Sequence, residues 1–481
     1  MKKWDLGILL LICLSAFVVR LYHFTAPIAD WHSWRQVDTS AVSRNFVQNG
    51  FDLLHPRFED ISNVASGLDN PQGYRFVEFP VYNVLQAGGY MLFKTFTLEE
   101  WGRLVTILAS LASLIFIYLI ARKYISFTGA LAAAVFFALD PFNVYYSRVV
   151  LPDPSMVATT LACIYFFDLF VTFKRNFTGK IVYFVLATLF GALALLLKPY
   201  AAFFLLPLLY ISWREWTWKM IQQPLLWVFL IAIAAPLTWW RIWMLQYPAG
   251  IPASGWLFNG GNIRFTGAFF YWIFANRFTE IILGLWGLPL FVFGILSKRK
   301  SFFFFLSFVL SSLLYVTIIA RGNVQHDYYQ ILIIPSIAFM IGLGADRLAH
   351  LPRELGGKFA ILSIMFVSIV GCFGFGWYFV RNYYNTNESL VATAQVIDAL
   401  TPKNAKILTF MNGDTTFLYY TKRQGWASLE KSLPEMIAMG ADYIAIPNPT
   451  PNDLSGFGKQ YGVVALTSQY LIINLHQVMK Q

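Results

Sequence analysis

The sequence predicts a polytopic α-helical membrane protein with a small α/β domain after its last span. Hydrophobic residues make up 57% of the 481-residue chain and charged residues only 13%, whereas about 25% of a soluble domain is charged. The apolar residues cluster in runs of about 18–23, the length with which a helix crosses a bilayer. Charged and polar residues return after position 380, which indicates a separate domain there.

The apolar runs predict about eleven spans, each long enough or nearly long enough to cross a bilayer. The opening Met-Lys-Lys and the first run lack a small-residue cleavage site, so we expect an uncleaved first span with its N-terminus inside. The candidate spans are residues 6–19, 104–120, 129–142, 156–173, 181–197, 201–211, 225–244, 281–296, 302–320, 331–343 and 359–380.

Residues 81–96 decide the topology. This stretch is short and contains Asn83, Gln86 and Lys94, so we predict that it lies at the interface instead of crossing. The short basic loops then all lie on the side of Lys2, as the positive-inside rule requires. These loops are at 122–123, 174–180, 214–219, 298–300 and 347–358.

The same rule accounts for the net charge of +11, so we predict a bilayer and no nucleic acid as partner. The predicted topology places the first loop, residues 20–80, outside the membrane. The predicted domains are a membrane domain over residues 1–380 and an outer α/β domain over residues 381–481. In the latter, 406–410 and 443–446 resemble buried strands, and 389–400 and 429–439 have helical spacing.

The densest chemistry of the membrane domain lies just after the first span, in the stretch DWHSWRQVDT at residues 30–39. It contains two carboxylates, a histidine, an arginine and two tryptophans. Trp31 and Trp34 have two interpretations, an interfacial aromatic belt or a platform for a sugar ring or an isoprenoid chain. We predict that this stretch forms part of a polar site at the outer face.

Four separate outer segments bring ionisable side chains to that face under the predicted topology. Ionisable groups at membrane depth are costly, so they are usually paired or functional. The candidates are Asp30, His32, Arg35, Asp38 and Glu78 in the first loop, Arg148 and Asp153 in the second, Lys198 at a helix end, and Arg321, His326, Asp327, Tyr328 and Tyr329 in the last loop.

Structural alternatives exist for each of these residues. Asp30 fits ordinary loop solvation, and Asp38 and Asp153 each precede an apolar run and fit helix N-caps. Glu78 stands in an apolar string and fits pairing with an arginine. Lys198 at a helix end fits a side chain that extends to the interface. The two scattered histidines lack the spacing of a zinc site, so no metal site is predicted.

The order of these motifs resembles that of a known family. D-x-H-S-W-R-Q-x-x-T from Asp30 is followed by R-N-F at 44–46, E-F-P-x-Y at 78–82, G-R-L at 102–104, K-P at 198–199 and H-D-Y-Y at 326–329. Over about residues 1–350 the chain resembles bacterial membrane glycosyltransferases of the GT-C fold, whose relatives include protein O-mannosyltransferases and lipid A aminoarabinose transferases. The resemblance implies a polyprenyl-phosphate-linked sugar donor and a site on the outer face of the bacterial inner membrane.

The resemblance also implies an inverting transfer of a hexose or pentose to a hydroxyl of an envelope lipid, glycan or protein. Asp30 is the expected base because, as in the relatives, it falls soonest after span one. Asp38 is the alternate, because the Asp-Glu pair that the aminoarabinose transferases carry early in this loop is absent here. Glu78 is expected to orient Arg35 or the sugar, with His32 in support.

On the donor side, the resemblance places Lys198, Arg321 and His326 at the phosphate, supported by Asp153, Tyr328 and Tyr329. No cofactor is required by this scheme; a divalent cation between the carboxylates and the phosphate is the alternative.

Two functions of other classes stay open, a transporter or flippase of envelope precursors and a non-catalytic scaffold of an envelope complex. Transporters place ionisable groups near mid-span, often in two repeated halves. This sequence has no repeat and carries its acids in loops, which favours an enzyme.

Overall fold

The computed structural model describes residues 3–174, 176–351 and 357–479. Lys2 and parts of the basic loops at 174–180 and 347–358 lie outside the described residues. The chain forms two compact units. We call Met1–Phe24, Arg103–Trp239 and Ser254–Asn382 the helical unit, and Thr25–Gly102, Trp240–Ala253 and Tyr383–Gln481 the mixed unit.

Seventeen α-helices precede the C-terminal domain in the described residues, and several are joined by short 3-10 helices. The α-helices are α1 Lys3–Arg20, α2 Ser33–Asn49, α3 Val81–Leu92, α4 Leu98–Tyr124, α5 Phe127–Leu139, α6 Pro141–Tyr146, α7 Asp153–Thr172, α8 Phe177–Leu197, α9 Leu205–Trp216, α10 Pro224–Met244, α11 Trp256–Asn259, α12 Gly267–Phe270, α13 Leu288–Ile295, α14 Phe302–Ile318, α15 Ala320–Gln325, α16 Ile334–Ala349 and α17 Lys358–Val380. The 3-10 helices are Pro199–Phe204, Thr217–Gln222, Pro248–Gly250, Gly260–Phe265, Asp327–Ile333 and Arg381–Tyr384, and a π-helix covers Tyr271–Ile282.

Six helical segments of the described chain are long and apolar enough to cross a membrane, which confirms the membrane class. They are Leu98–Tyr124, Asp153–Thr172, Phe177–Leu197, Pro224–Met244, Asp327–Ala349 and Phe359–Leu400. The expected count of about eleven is not confirmed, because several other apolar runs do not form one long helix. Residues 281–296, for example, are divided by a turn with positive φ at Gly284 and Leu285. The 12-residue α3 is shorter than the roughly 20 residues of a span.

The spans of the helical unit differ in how much of their surface is covered. In the apolar 18-residue stretch of Asp327–Ala349, 94% is buried, whereas only 17% is buried in the corresponding stretch of Pro224–Met244. A Cβ added at Gly344 of α16 would overlap the carbonyl oxygen of Leu290 in α13. Small residues allow helix backbones to approach this closely, so α16 forms the interior of the unit and α10 presents apolar side chains outward.

The C-terminal residues form the predicted small α/β domain. Its five strands lie in the order β2-β1-β3-β5-β4; β1 is parallel to β2 and β3, and β5 is antiparallel to β3 and β4. Separate apolar clusters cover the two faces of the sheet. The elements are α18 Glu388–Leu400, β1 Ile407–Thr409, α19 Thr416–Thr421, β2 Gly425–Trp426, α20 Leu433–Ala438, β3 Tyr443–Pro447, α21 Pro451–Phe457, β4 Tyr461–Leu466 and β5 Tyr470–Val478.

The first loop is part of the same compact unit as this sheet. Gly425 of β2 donates its N–H to the Glu59 carbonyl at 3.1 Å, and its own carbonyl accepts from the N–H of Ile61 at 2.9 Å. These two bonds add residues 59–61 to the edge of the sheet. The domain boundary at residue 380 concerns which residues lie in the membrane, and it stays a prediction.

Candidate functional site

The turn before α2 positions Asp30. The helix begins at Ser33 after His32, whose φ of 55° lies in the left-handed region, and the Ser33 N–H donates to the Asp30 carbonyl at 3.0 Å. One turn into the helix, Gln36 Nε2 donates to Asp30 Oδ1 at 2.6 Å. Asp30 as a residue is only 6% exposed, so the start of α2 holds its carboxylate in one orientation.

Glu78 forms an ion pair with Arg35. This agrees with the structural alternative predicted for Glu78, which was pairing with an arginine. Arg35 Nη1 also donates to Thr39 Oγ1 at 3.1 Å, one turn further along α2. Both charged side chains are almost fully buried. The pair therefore fixes the segment before α3 against α2, and a role of Glu78 in orienting a sugar stays a prediction.

Asp38 is an interior residue of α2, so its interpretation as an N-cap is wrong. Its Oδ2 accepts from Arg75 Nη2 at 2.5 Å, and its Oδ1 accepts from the Thr415 hydroxyl at 2.7 Å. Only 4% of the residue is exposed. Both oxygens of this buried carboxylate are thus held by partners from the first loop and from the C-terminal domain.

These side chains line one small pocket with about 270 Å³ of empty space. Its polar walls carry two negatively charged carboxylates and two positively charged guanidinium groups. Asn83 adds an amide that donates to the Thr39 carbonyl at 2.6 Å. The structure thus brings the predicted residues Arg35, Asp38 and Glu78 together. Arg75, which the sequence argument missed, completes the group.

Two further carboxylates of the first loop, Glu59 and Asp60, were also missed. Burial raises the pKa of both, that of Asp60 to about 7, although the N–H and hydroxyl of Ser62 donate to the Asp60 carboxylate and oppose the shift. Both acids stand between Phe58 and Ile61. Glu78 became a candidate because it is an acid within an apolar string. Glu59 and Asp60 have the same kind of sequence environment, so this signal could have identified them.

In the helical unit, Lys198 and Asp153 form a buried ion pair. Lys198 Nζ lies 2.7 Å from Asp153 Oδ1, and the two residues are 5% and 3% exposed. Lys198 therefore does not extend to the interface, and Asp153 is the first residue of α7, with Pro152 at the N-cap. The rings of Tyr200, Tyr328 and Tyr329 surround the ammonium, with centroids 6.0, 5.4 and 5.3 Å from Nζ.

The last loop adds His326 to this aromatic cluster. The His326 ring lies 5.6 Å from that of Tyr328 and 6.0 Å from that of Tyr329. Arg321 is half-buried at the start of α15, and within the described chain its guanidinium makes no ion pair. Of the three predicted phosphate ligands, two therefore lie beside the same tyrosines, Tyr328 and Tyr329: these ligands are Lys198 and His326.

Three buried arginines bind backbone carbonyls within the helical unit. Arg148 Nη1 donates to the His23 carbonyl at 3.0 Å, and Arg103 Nη1 donates to the Phe24 carbonyl at 2.6 Å. Arg20 Nη1 donates to the Ala138 carbonyl at 2.7 Å. Arg103 belongs to the G-R-L motif, and the first two arginines hold the turn that leads into the first loop.

An apolar groove with about 780 Å³ of empty space also lies in the helical unit. Its walls come from the π-helix, α13, α14, the segment Asp327–Ile333 and the start of α16. Two serines are its only hydroxyl-bearing side chains among those described. The segment Asp327–Ile333 therefore contributes Tyr328 and Tyr329 to the cluster around Lys198 and Ile333 to the groove.

The predicted site is thus distributed over the two units. Asp30, His32, Arg35, Asp38 and Glu78 belong to the mixed unit, and Asp153, Lys198, Arg321, His326, Tyr328 and Tyr329 belong to the helical unit. The expectation that both sets face one cavity stays a prediction. In the described part of the chain, no three His, Cys, Asp or Glu side chains come together as a metal site would require, and the metal requirement stays a matter for experiment.

Comparison with known proteins supports the fold. Residues 71–243 match the family described as dolichyl-phosphate-mannose-protein mannosyltransferase. ArnT from Cupriavidus metallidurans, crystallised with undecaprenyl phosphate, has a TM-score of 0.68 at 15% identity, and the match covers 99% of both chains. AglB from Archaeoglobus fulgidus, an archaeal oligosaccharyltransferase in complex with an inhibitory peptide and a dolichol-phosphate, has a TM-score of 0.60 at 11% identity over 96% of this chain and 73% of that one. No curated protein matches the sequence significantly.

The similarity to ArnT extends over nearly the full length of both chains, so it includes the C-terminal sheet as well as the helices. The resemblance expected from the motifs is confirmed. The chain is therefore a multi-pass membrane protein with a GT-C fold of the ArnT type, and over residues 71–243 it matches the mannosyltransferase family.

Proposed function

We propose that this chain transfers a sugar from a polyprenyl-phosphate-linked donor to an acceptor hydroxyl, with inversion at the anomeric carbon. The observation that carries the proposal is the segment Asp327–Ile333, which connects a buried lysine cluster to an apolar groove. A polyprenyl phosphate needs both features, a cation for its phosphate and an apolar surface for its chain. The family match and the fold support the same reaction.

Asp30 is the proposed general base, with Asp38 as the alternate. The base takes the proton of the acceptor hydroxyl while its oxygen attacks the anomeric carbon, whose transition state has oxocarbenium character. Asp38 is the weaker choice because Arg75 and Thr415 already hold both of its oxygens. Glu78, through Arg35, is proposed to shape the pocket, with His32 supporting the turn that holds Asp30.

The bond that breaks joins the anomeric carbon to the phosphate oxygen, and polyprenyl phosphate leaves as a stable anion without a strong general acid. Lys198, with His326 and Arg321, is proposed to stabilise that anion, and Asp153 and the tyrosines hold the lysine in place. Fixed charges aimed at a developing anion are usually a large part of catalysis. No metal takes part in the scheme; a divalent cation is the alternative, and activity in the presence of EDTA distinguishes the two.

The acceptor is proposed to be a lipid, glycan or protein of the cell envelope, at the outer face of the bacterial inner membrane. Positive loop charge supports that orientation. A hexose or pentose donor fits the proposal, and mass spectrometry of envelope glycans from cells with and without the chain would identify the sugar.

Transfer of radiolabel from a lipid-linked sugar to an acceptor, by the purified chain in liposomes, tests the proposal. A transporter would move the labelled lipid between leaflets without transfer, and a scaffold would do neither. Lys198→Ala is expected to raise the KM for the donor more than that for the acceptor, whereas Lys219→Ala, on an exposed surface, should change neither. Full transfer with an unchanged donor KM in Lys198→Ala would remove that residue from the phosphate site.

A further inference from the structure

A second and larger polar groove lies within the mixed unit, with about 1010 Å³ of empty space. One wall is the C-terminal half of α2, and the other is formed by the turns before β1 and β2. The proposed reaction assigns no role to this groove. Without the open solvent at its mouth, the cavity has a volume of about 420 Å³, which is in the range of sites that bind a small ligand.

The walls of the groove carry five carboxamide side chains, which are Asn45, Gln48, Asn49, Asn404 and Gln424. All of them except Asn45 are exposed, and none of the five forms a side-chain hydrogen bond with another described residue. Each carboxamide offers donors and an acceptor, the combination that sugar hydroxyls also present. Five such groups around one concave surface favour a carbohydrate over an apolar ligand.

The groove also has an excess of positive charge at one rim. Lys403, Lys422 and Arg423 converge on the single carboxylate of Asp398, at 2.6, 3.3 and 2.7 Å. These cations hold the pKa of Asp398 down to about 2 despite partial burial, so this carboxylate stays ionised and neutralises only one of them. The side chains of Lys403 and Lys422 are 78% and 58% exposed, and they can therefore donate to a further anion.

We propose that this groove binds an acidic carbohydrate. A carboxylate or phosphate of the carbohydrate binds Lys403 and Lys422, and its hydroxyls form hydrogen bonds with the carboxamides. Resting on the proposed function, we assign this carbohydrate to the acceptor. Gln48 lies ten residues after Asp38 in α2, which corresponds to a rise of about 15 Å along the helix. The groove would therefore bind a part of the acceptor remote from the hydroxyl that reacts.

Binding to the full-length chain in neutral phosphatidylcholine nanodiscs tests the groove without a donor. Isothermal titration would compare trigalacturonate and pentamannosyl phosphate with the neutral maltotriose and maltopentaose. We expect an acidic probe to bind about tenfold more tightly than its neutral counterpart, as two charge-assisted contacts imply. The K403Q/K422Q double variant should lose that preference, and Gln48→Ala/Asn49→Ala should weaken acidic and neutral probes alike.

Lys459→Gln is the matched control, because Lys459 is an exposed lysine of the same domain outside the groove. Equal affinity for acidic and neutral probes, or an equal loss in K403Q/K422Q and Lys459→Gln, would overturn the proposal. A chain that binds acidic probes through these lysines but transfers no sugar would refute the proposed function and leave the groove assignment intact. If transfer does occur, the double variant should raise the KM for an acidic acceptor and leave the donor KM unchanged.

Discussion

At the scale of single residues, the buried charges of the first loop divide into those already held by protein partners and those proposed for chemistry. Arg75 and Thr415 occupy both oxygens of Asp38, and Arg35 binds Glu78. Leaving one member of a buried charge pair without its partner is strongly destabilising. Substitutions at Asp38 and Glu78 are therefore expected to affect folding as well as activity, which makes Asp30 the clearer test of catalysis.

Asp30→Asn is expected to lower kcat by about 10²–10⁴-fold, the usual contribution of a general base. The asparagine still offers an oxygen to Gln36 Nε2, so the thermal unfolding temperature should change little. Single-turnover transfer from a labelled donor measures the effect, with Asp52→Asn as a control at an exposed carboxylate of the same loop. Wild-type kcat in a folded Asp30→Asn protein would eliminate Asp30 as the base.

Asp60→Asn is expected to stabilise the protein at alkaline pH. Burial raises the pKa of Asp60 from 3.8 to about 7, so the folded chain binds more protons than the unfolded chain between these values. Stability from this group is therefore complete below pH 3.8 and is lost as the pH rises through about 7. Asparagine removes that loss, which is at most about 4 kcal/mol.

Thermal unfolding of wild type and Asp60→Asn, measured from pH 5 to pH 9, checks this expectation. The difference between the two proteins should grow with pH and level off above about pH 8. A difference that is constant over this range would show that Asp60 does not titrate near neutrality.

At the scale of elements, α2 connects the first loop to the C-terminal domain. Its first half supplies Arg35 and Asp38 to the small pocket, and its second half forms one wall of the large polar groove. Helix α19 packs on α2, where the Tyr419 hydroxyl lies 3.0 Å from Ser40 Oγ. The C-terminal domain is therefore part of the packing that positions α2, and removing it would disturb the candidate site directly.

Thr415→Val is expected to destabilise the protein by about 1–3 kcal/mol, because it leaves Asp38 Oδ1 buried without its hydroxyl donor. Denaturation in mild detergent, followed by tryptophan fluorescence, measures the change. Thr386→Val is a suitable control, since Thr386 is half-buried in the same unit and makes no side-chain hydrogen bond in the described structure. Equal stability of the two variants would show that the Thr415–Asp38 bond contributes nothing.

At the scale of the whole molecule, the predicted sidedness is open to a direct labelling test. Lys459→Cys in the C-terminal domain should react with a membrane-impermeant maleimide in intact spheroplasts. Lys219→Cys, in a basic loop predicted to be cytoplasmic, should react only after permeabilisation. Both positions are exposed. Cys163 and Cys372 are buried, and the half-buried Cys13 lies inside the apolar helix α1, so labelling of the protein without an added cysteine gives the background to subtract. The reverse pattern would contradict the predicted orientation.

The sequence by itself determined the membrane class and the α/β character of the C-terminal domain, and it named Arg35, Asp38 and Glu78, which the fold brings into one pocket. Apolar run length and periodicity are local properties, and a chain segment displays them without its neighbours. The count of about eleven spans is not confirmed, because the length of an apolar run does not show where a helix is interrupted. Residues 281–296 are as apolar as a span, and only their tertiary packing shows the turn at Gly284 and Leu285.

Only the tertiary structure decided which charges are partners. Arg75 is 37 residues from Asp38, and Thr415 is 377 residues away. No sequence spacing indicates such contacts, because they form when distant segments pack together. Burial is decided in the same way, since the shifted pKa of Asp60 arises from atoms that the fold brings around it. A sequence therefore names the residues that carry charge, whereas the fold determines how that charge is compensated.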